Sequence, residues 1–166
     1  PSVQLEMVKL LAAASGSRGM AGGQAIDLAA TGKTLTLPEL EFMHIHKTGA
    51  IIRATTLLGA RCGTPLEKKE LERLDHFAKC IGLAFQVVDD VLDIEASTAT
   101  LGKTAGKDAQ HNKPTYVSLI GVAESKKLAG ELRADALASL EVFGARALRL
   151  RELRSEEHTS ELQSRL

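Results

Sequence analysis

The 166-residue chain has no tryptophan, one tyrosine and four phenylalanines. Aromatic and β-branched residues favour strands, so their scarcity argues against an all-β architecture. Cysteine is nearly absent: Cys62 and Cys80 have neither the density of a disulfide scaffold nor the spacing of a zinc site, and free thiols suit a reducing, cytoplasmic setting. Charge of one sign is lacking too, with 21 basic against 21 acidic residues, so nothing global attracts nucleic acid or an anionic membrane. No run approaches the roughly 20 apolar residues that a membrane span needs. Proline is missing between Pro65 and Pro114, which leaves room for one long uninterrupted helix.

What is present is a helix-former's composition, with 25 Leu and 23 Ala. The expected class is all-α, in one domain. Apolar periodicity predicts a helix from Ser2 to Ala14, a glycine-rich element from Arg18 to Ala30, and a helix capped by Thr36 and Glu39 running toward Gly59. Gly19, Gly22 and Gly23 are costly inside a helix and imply close packing of two backbones. A second capping box, Thr64-Pro65-x-Glu67, starts the longest helix, Leu66 to about Glu95, whose second half reads as buried. Residues 96–113 read as a long loop, followed by helices over Pro114–Val122 and Glu124 to about Leu153. Residues 154–166 fit neither the preceding stripe nor a new helix and read as a non-native tail to a native domain of residues 1–153. Pro1 in place of Met predicts a natural chain that starts upstream.

The run Phe85-Gln86-Val87-Val88-Asp89-Asp90-Val91-Leu92-Asp93 carries the chemistry. At about 100° per residue, Gln86, Asp89, Asp90 and Asp93 share an arc of about 100°, with Ala84, Val88, Val91 and Leu92 on the other side. No Lys or Arg lies between Ile81 and Gly102 to offset three like charges. A divalent cation explains such a face better than solvation does. Mg²⁺, or Mn²⁺ in its place, takes one or two carboxylates and completes its shell with water and substrate phosphates. Basic residues for the phosphates stand at Lys47, beside Thr48 and Gly49, and in Gly102-Lys103-Thr104-Ala105-Gly106-Lys107-Asp108. Neither Gly32-Lys33-Thr34 nor Gly102-Lys103-Thr104 is a P-loop, because the upstream glycine position holds Asp27 or Ser97. His44 and His46, two apart, do not form a helical metal pair; Tyr116 packs rather than reacts.

Taken together, Gly19-Met20-x-x-Gly23-Gln24-x-x-Asp27-Leu28, Lys47-Thr48-Gly49, Phe85-Gln86-x-x-Asp89-Asp90-x-x-Asp93, Gly102-Lys103 and Lys107-Asp108 resemble the C-terminal half of a trans-isoprenyl diphosphate synthase, nearest the bacterial farnesyl diphosphate branch. The resemblance spans about Ser2 to Leu153. It implies an antiparallel bundle of helices around a deep cavity, with the N-terminal helices missing, and a homodimer. It makes Asp89 a Mg²⁺ ligand, with Asp90 and Asp93 in the metal shell, and Lys47, Lys103 and Lys107 contacts of the allylic diphosphate. Thr48 and Gln86 would stand near the reacting carbons, with Asp108 behind them. The implied reaction condenses dimethylallyl or geranyl diphosphate with isopentenyl diphosphate to farnesyl diphosphate. A longer-chain synthase, geranylgeranyl or polyprenyl, shares these motifs, and a noncatalytic helical partner subunit is the reading from another class. No second Asp-Asp-x-x-Asp occurs, so the 166-residue chain alone is expected to have little or no turnover.

Overall fold

The computed structural model describes residues 2–101 and 113–156, with side chains for 2–95 and 113–152. Among these, every regular element is helical. Helix α1 is Ser2–Ser15, α2 Met20–Ala30 and α3 Leu37–His44; a π-helical turn, Ile45–Gly49, leads into α4, Ala50–Arg61. The long α5 spans Lys68–Leu101 and α6 spans Tyr116–Ser139; a 3₁₀ segment, Glu141–Ala147, precedes α7, Leu148–Glu156. Among the described residues, no helix is long and apolar enough to cross a membrane.

The core forms along α5, and its two clusters fix the direction of α6. At one end Leu74, Phe77 and Cys80 pack with Ala136, Leu140, Phe143 and Ala147. At the other, Val87 packs with Tyr116, Leu40 and Met43. Numbers rise along α5 as they fall along α6, so the two helices are antiparallel. Tyr116, Leu40, Leu140 and Val87 are fully buried, and the aliphatic ones contribute about 1.5–3 kcal/mol each.

Glycines set the tightest approaches. A Cβ on Gly23 would stand 2.1 Å from the Lys47 amide nitrogen, so α2 lies directly on the backbone of the π turn. A Cβ on Gly82 would meet the Gly49 Cα at 3.2 Å, which brings α5 against the same turn. Close packing was the reason expected for the glycine-rich element.

Several expected boundaries move. The Thr36 cap stands, its amide donating to Glu39 Oε2 at 2.7 Å. The second box shifts by three residues: the Glu67 amide donates to Glu70 Oε2 at 2.9 Å, and α5 begins at Lys68. Helix α5 continues to Leu101, past the expected stop at Glu95; of the expected loop, 102–112 lies outside the described residues. Gly121 (φ 81°) kinks α6 beside the expected break between Val122 and Glu124, whereas the expected single helix from Glu124 to Leu153 becomes three segments, with Gly144 (φ 53°) in left-handed backbone inside the middle one. The second half of α5 is buried on one side only: Ala84, Val87 and Val91 are inside, whereas Phe85 is 48% and Leu92 46% exposed.

Candidate active site

The face of α5 that carries Gln86, Asp89, Asp90 and Asp93 divides its four polar groups between two environments. Asp89 and Asp93 are exposed, one helical turn apart, with no ion pair to a described lysine or arginine. Burial and the Asp93 charge push the Asp89 carboxyl up. Asp90 is half-buried, and its Oδ2 accepts the Tyr116 backbone amide at 2.7 Å. That amide is the first of α6, whose cap is completed by Thr115 Oγ1 accepting from the Ser118 amide at 3.1 Å. Asp90 therefore spends one carboxylate oxygen on the positive end of α6. Burial still dominates, and the Asp90 carboxyl is pushed up to about 6, with the amide opposing and Asp89 and Asp93 adding.

Lys47 is presented by the π turn, a distortion common at functional sites because it re-aims side chains off the regular helical face. Its Nζ bonds Asp27 Oδ2 at 2.8 Å. Asp27 is buried, and a second ammonium, Lys113 Nζ, reaches its two oxygens at 3.1 and 3.3 Å. Burial raises the Asp27 carboxyl, but hydrogen bonds and charge from Lys47 and Lys113 outweigh it and hold the group below its ordinary value. Two ammoniums share one carboxylate, which leaves the cluster with an excess positive charge. Thr48 is half-buried in the same turn.

Between this basic cluster and Asp90 lie His44 and Tyr116, stacked with ring centroids 5.6 Å apart. His44 is buried facing Gln86 without a hydrogen bond of regular geometry, and burial keeps the imidazole below its ordinary value. The site is thus continuous from Lys113 and Asp27 through Lys47, His44 and Tyr116 to Gln86 and Asp90.

The fold brings Lys47, Gln86 and Asp90 together around His44 and Tyr116, with Thr48 in the π turn and Asp89 and Asp93 exposed on α5. Lys103, Lys107 and Asp108 lie outside the described residues. Asp27 and Lys113 were not among the expected site residues. Asp27 was visible in part: it stands four residues after Gly23, on the face that touches Lys47. Lys113 had no signal, since its place follows from where α6 starts. Tyr116 packs, as expected; His44, expected only not to pair with His46, is part of the site wall.

The residues fit a divalent cation. Asp89 and Asp93 offer hard oxygen donors without a competing cation among the described residues, in the number that Mg²⁺ takes from protein. Behind them, Ala84, Val88, Val91 and Leu92 line a groove of about 440 Å³ against α6, together with the charged Glu95, Lys126 and Arg133.

The chain is 48% identical over 145 residues to the farnesyl diphosphate synthase of Escherichia coli K12, covering 87% of this chain and 48% of that protein. It is 44% identical over 147 residues to a chloroplastic geranylgeranyl pyrophosphate synthase of Capsicum annuum, covering 88% of this chain and 40% of the relative. Among solved structures, an FPP/GFPP synthase from Zymomonas mobilis superposes with a TM-score of 0.76 at 38% identity, over 91% of this chain and 49% of that one. A geranyltransferase from Helicobacter pylori, complexed with magnesium and isoprenyl diphosphate, superposes with a TM-score of 0.75 at 28% identity, over 98% and 53%. The chain spans about half the length of the curated relatives it matches. The polyprenyl synthetase family model matches residues 2–139, and with the all-helical fold and the relatives that share it, the chain belongs to that family.

Proposed function

We propose that this chain carries the allylic-diphosphate half of a Mg²⁺-dependent prenyltransferase site. The reaction joins dimethylallyl or geranyl diphosphate head-to-tail to isopentenyl diphosphate, with farnesyl diphosphate as product and a homodimer as the working form. The observation that carries this reading is the pair Asp89 and Asp93, exposed and without an ion pair to any described lysine or arginine, on a helix that packs against the lysine-bearing turn.

Asp89 and Asp93 would hold the metal, Asp90 lending an oxygen or a bound water while it anchors α6. Bound there, Mg²⁺ supplies electrostatic stabilisation of the negative charge that gathers on the departing diphosphate. Lys47 supports the same charge from the π turn, Asp27 fixing its position without neutralising the two-lysine cluster. By the resemblance, Lys103 and Lys107 would add to this charge stabilisation, supported by Asp108. The allylic C–O bond breaks with its electron pair leaving on the diphosphate. The double bond of isopentenyl diphosphate then forms the new C–C bond, and a proton passes to the released diphosphate. Thr48 and Gln86 direct oxygen dipoles at the cation, and apolar side chains keep water away.

Calorimetric titration with a non-ionisable allylic diphosphate analogue tests this. Binding requires Mg²⁺ and falls on the order of 100-fold in Asp89→Ala, the scale of losing a charge-assisted contact of about 3 kcal/mol. Equal binding with and without Mg²⁺, or an unaffected Asp89→Ala, sinks it. The 44% identity to a geranylgeranyl pyrophosphate synthase keeps a longer product as the second reading. Chain length of the product made by the full-length protein separates the two.

A further inference from the structure

Cys80, read from the Cys62–Cys80 spacing as no part of a metal site, has two partners, one at helical spacing and one that only the fold brings near. His76 precedes it by four residues on the same face of α5, and Asp135 comes from the antiparallel α6. His76 Nε2 lies 3.6 Å from Cys80 Sγ and 3.5 Å from Asp135 Oδ2, and the three ligand atoms all fall within 4.8 Å of one another. Sulfur and carboxylate converge on one ring nitrogen. That nitrogen has a single in-plane lone pair or a single hydrogen, so it cannot satisfy both neighbours by hydrogen bonding.

We infer that His76, Cys80 and Asp135 form a binding site for a borderline-soft divalent metal ion, of which Zn²⁺ is the type, clamping α5 to α6. Zn²⁺ bonds of about 2.3 Å to sulfur and 2.0–2.2 Å to nitrogen and oxygen, arranged tetrahedrally, place sulfur and nitrogen about 3.6 Å apart and nitrogen and oxygen about 3.4 Å apart. The observed 3.6 and 3.5 Å already match those edges. His76 and Asp135 are exposed, so an ion can enter from solvent and keep a water in its fourth position. Cys80 closes the inner side from the core cluster of Leu74, Phe77 and Leu140. The neighbouring ammonium, Lys79, is paired with Asp75 at 2.7 Å and does not occupy the Asp135 carboxylate. A nucleophilic role suits the cysteine poorly, since burial and the Asp135 charge push its thiol up and keep it protonated without a metal.

The site is separate from the aspartates of the candidate active site. Cys80 precedes Asp89 by nine residues, about 13 Å along α5. Donor chemistry separates them as well: thiolate and imidazole select Zn²⁺ or Co²⁺, while the all-oxygen aspartates select Mg²⁺.

Titration of the full chain with Co²⁺ alone reads the site directly. One equivalent is expected to give a thiolate-to-cobalt charge-transfer band with d–d bands of tetrahedral intensity, displaced by Zn²⁺ and unaffected by excess Mg²⁺. His76→Gln and Asp135→Asn, both at exposed positions, weaken Co²⁺ binding at least about 10-fold, and Cys62→Ser leaves it unchanged. Cys80→Ser abolishes the band, with circular dichroism confirming its fold. The proposal is overturned by the absence of a thiolate band. It is equally overturned if the band keeps wild-type affinity in both His76→Gln and Asp135→Asn, or is lost in Cys62→Ser.

Discussion

Asp27 and Asp90 sit at opposite ends of one site, and burial opposes ionisation in both. At Asp27 two ammoniums overcome it; at Asp90 a single backbone amide does not. Their linkage to stability therefore has opposite sign. Asp27, held below its ordinary 3.8, stabilises the fold above that pH and loses its contribution as pH falls further. Asp90, near 6 when folded and 3.8 when not, makes the folded chain bind the proton more tightly, so its contribution declines as pH rises between those values. Buried His44 acts in the opposite sense over the same range, so the difference between variants is the readout: the change in urea midpoint of metal-free protein from about pH 5 to about pH 8 should be less favourable in the wild type than in Asp90→Asn, which keeps an acceptor for Tyr116. An unchanged slope in that variant rejects the assignment. Asp27→Asn leaves Lys47 and Lys113 without their shared counter-charge. A loss of about 1–3 kcal/mol in urea unfolding is expected, together with weaker binding of the diphosphate analogue. Loss of stability without loss of affinity would mean that Lys47 needs no positioning.

At the scale of elements, the π turn is the part on which the others converge. Helix α2 touches it through Gly23, α5 through Gly82, and α3 and α4 flank it in sequence. In Gly23→Ala the new methyl would have to displace backbone rather than a flexible side chain, so α2 must move off the turn and carry Asp27 with it. We expect destabilisation at or above the usual 1–3 kcal/mol of overpacking and impaired diphosphate binding, with Gly63→Ala, in open space, as the harmless control. Equal effects of the two would dismiss the close approach.

Much of this arrangement is legible in the sequence, because carboxylates at 3.6-residue spacing and glycines in a helical segment have few physical explanations. The Asp89–Asp93 face, the packing role of Gly23 and the Thr36 cap all follow from local rules. What escaped depends on contacts between elements. The start of α5 moved because the Glu67 amide is taken by Glu70 Oε2, although Thr64 and Glu67 have the same spacing. The break at Gly144 requires left-handed backbone, whereas Gly130 lies within α6, and glycine identity alone does not distinguish them. The π turn has no periodic signature, and Lys113 reaches Asp27 across 86 residues.

For the whole molecule, the chain reproduces about half of a family whose members are about twice its length, and the half it carries is organised around α5. Acidic residues line the open side of that helix and Ala84, Val88, Val91 and Leu92 its groove with α6, while Lys47 stands on the adjoining turn and Lys113 ahead of α6. The central claim is that Asp89 and Asp93 hold a divalent ion in contact with a lysine-bound diphosphate. Phosphorus NMR of a non-ionisable allylic diphosphate analogue, with paramagnetic Mn²⁺ in place of Mg²⁺, tests it most directly. Both phosphorus resonances should relax strongly with the wild-type chain and revert to their metal-free linewidths with Asp89→Ala/Asp93→Ala. Equal broadening with the double variant would place the metal elsewhere and contradict the account.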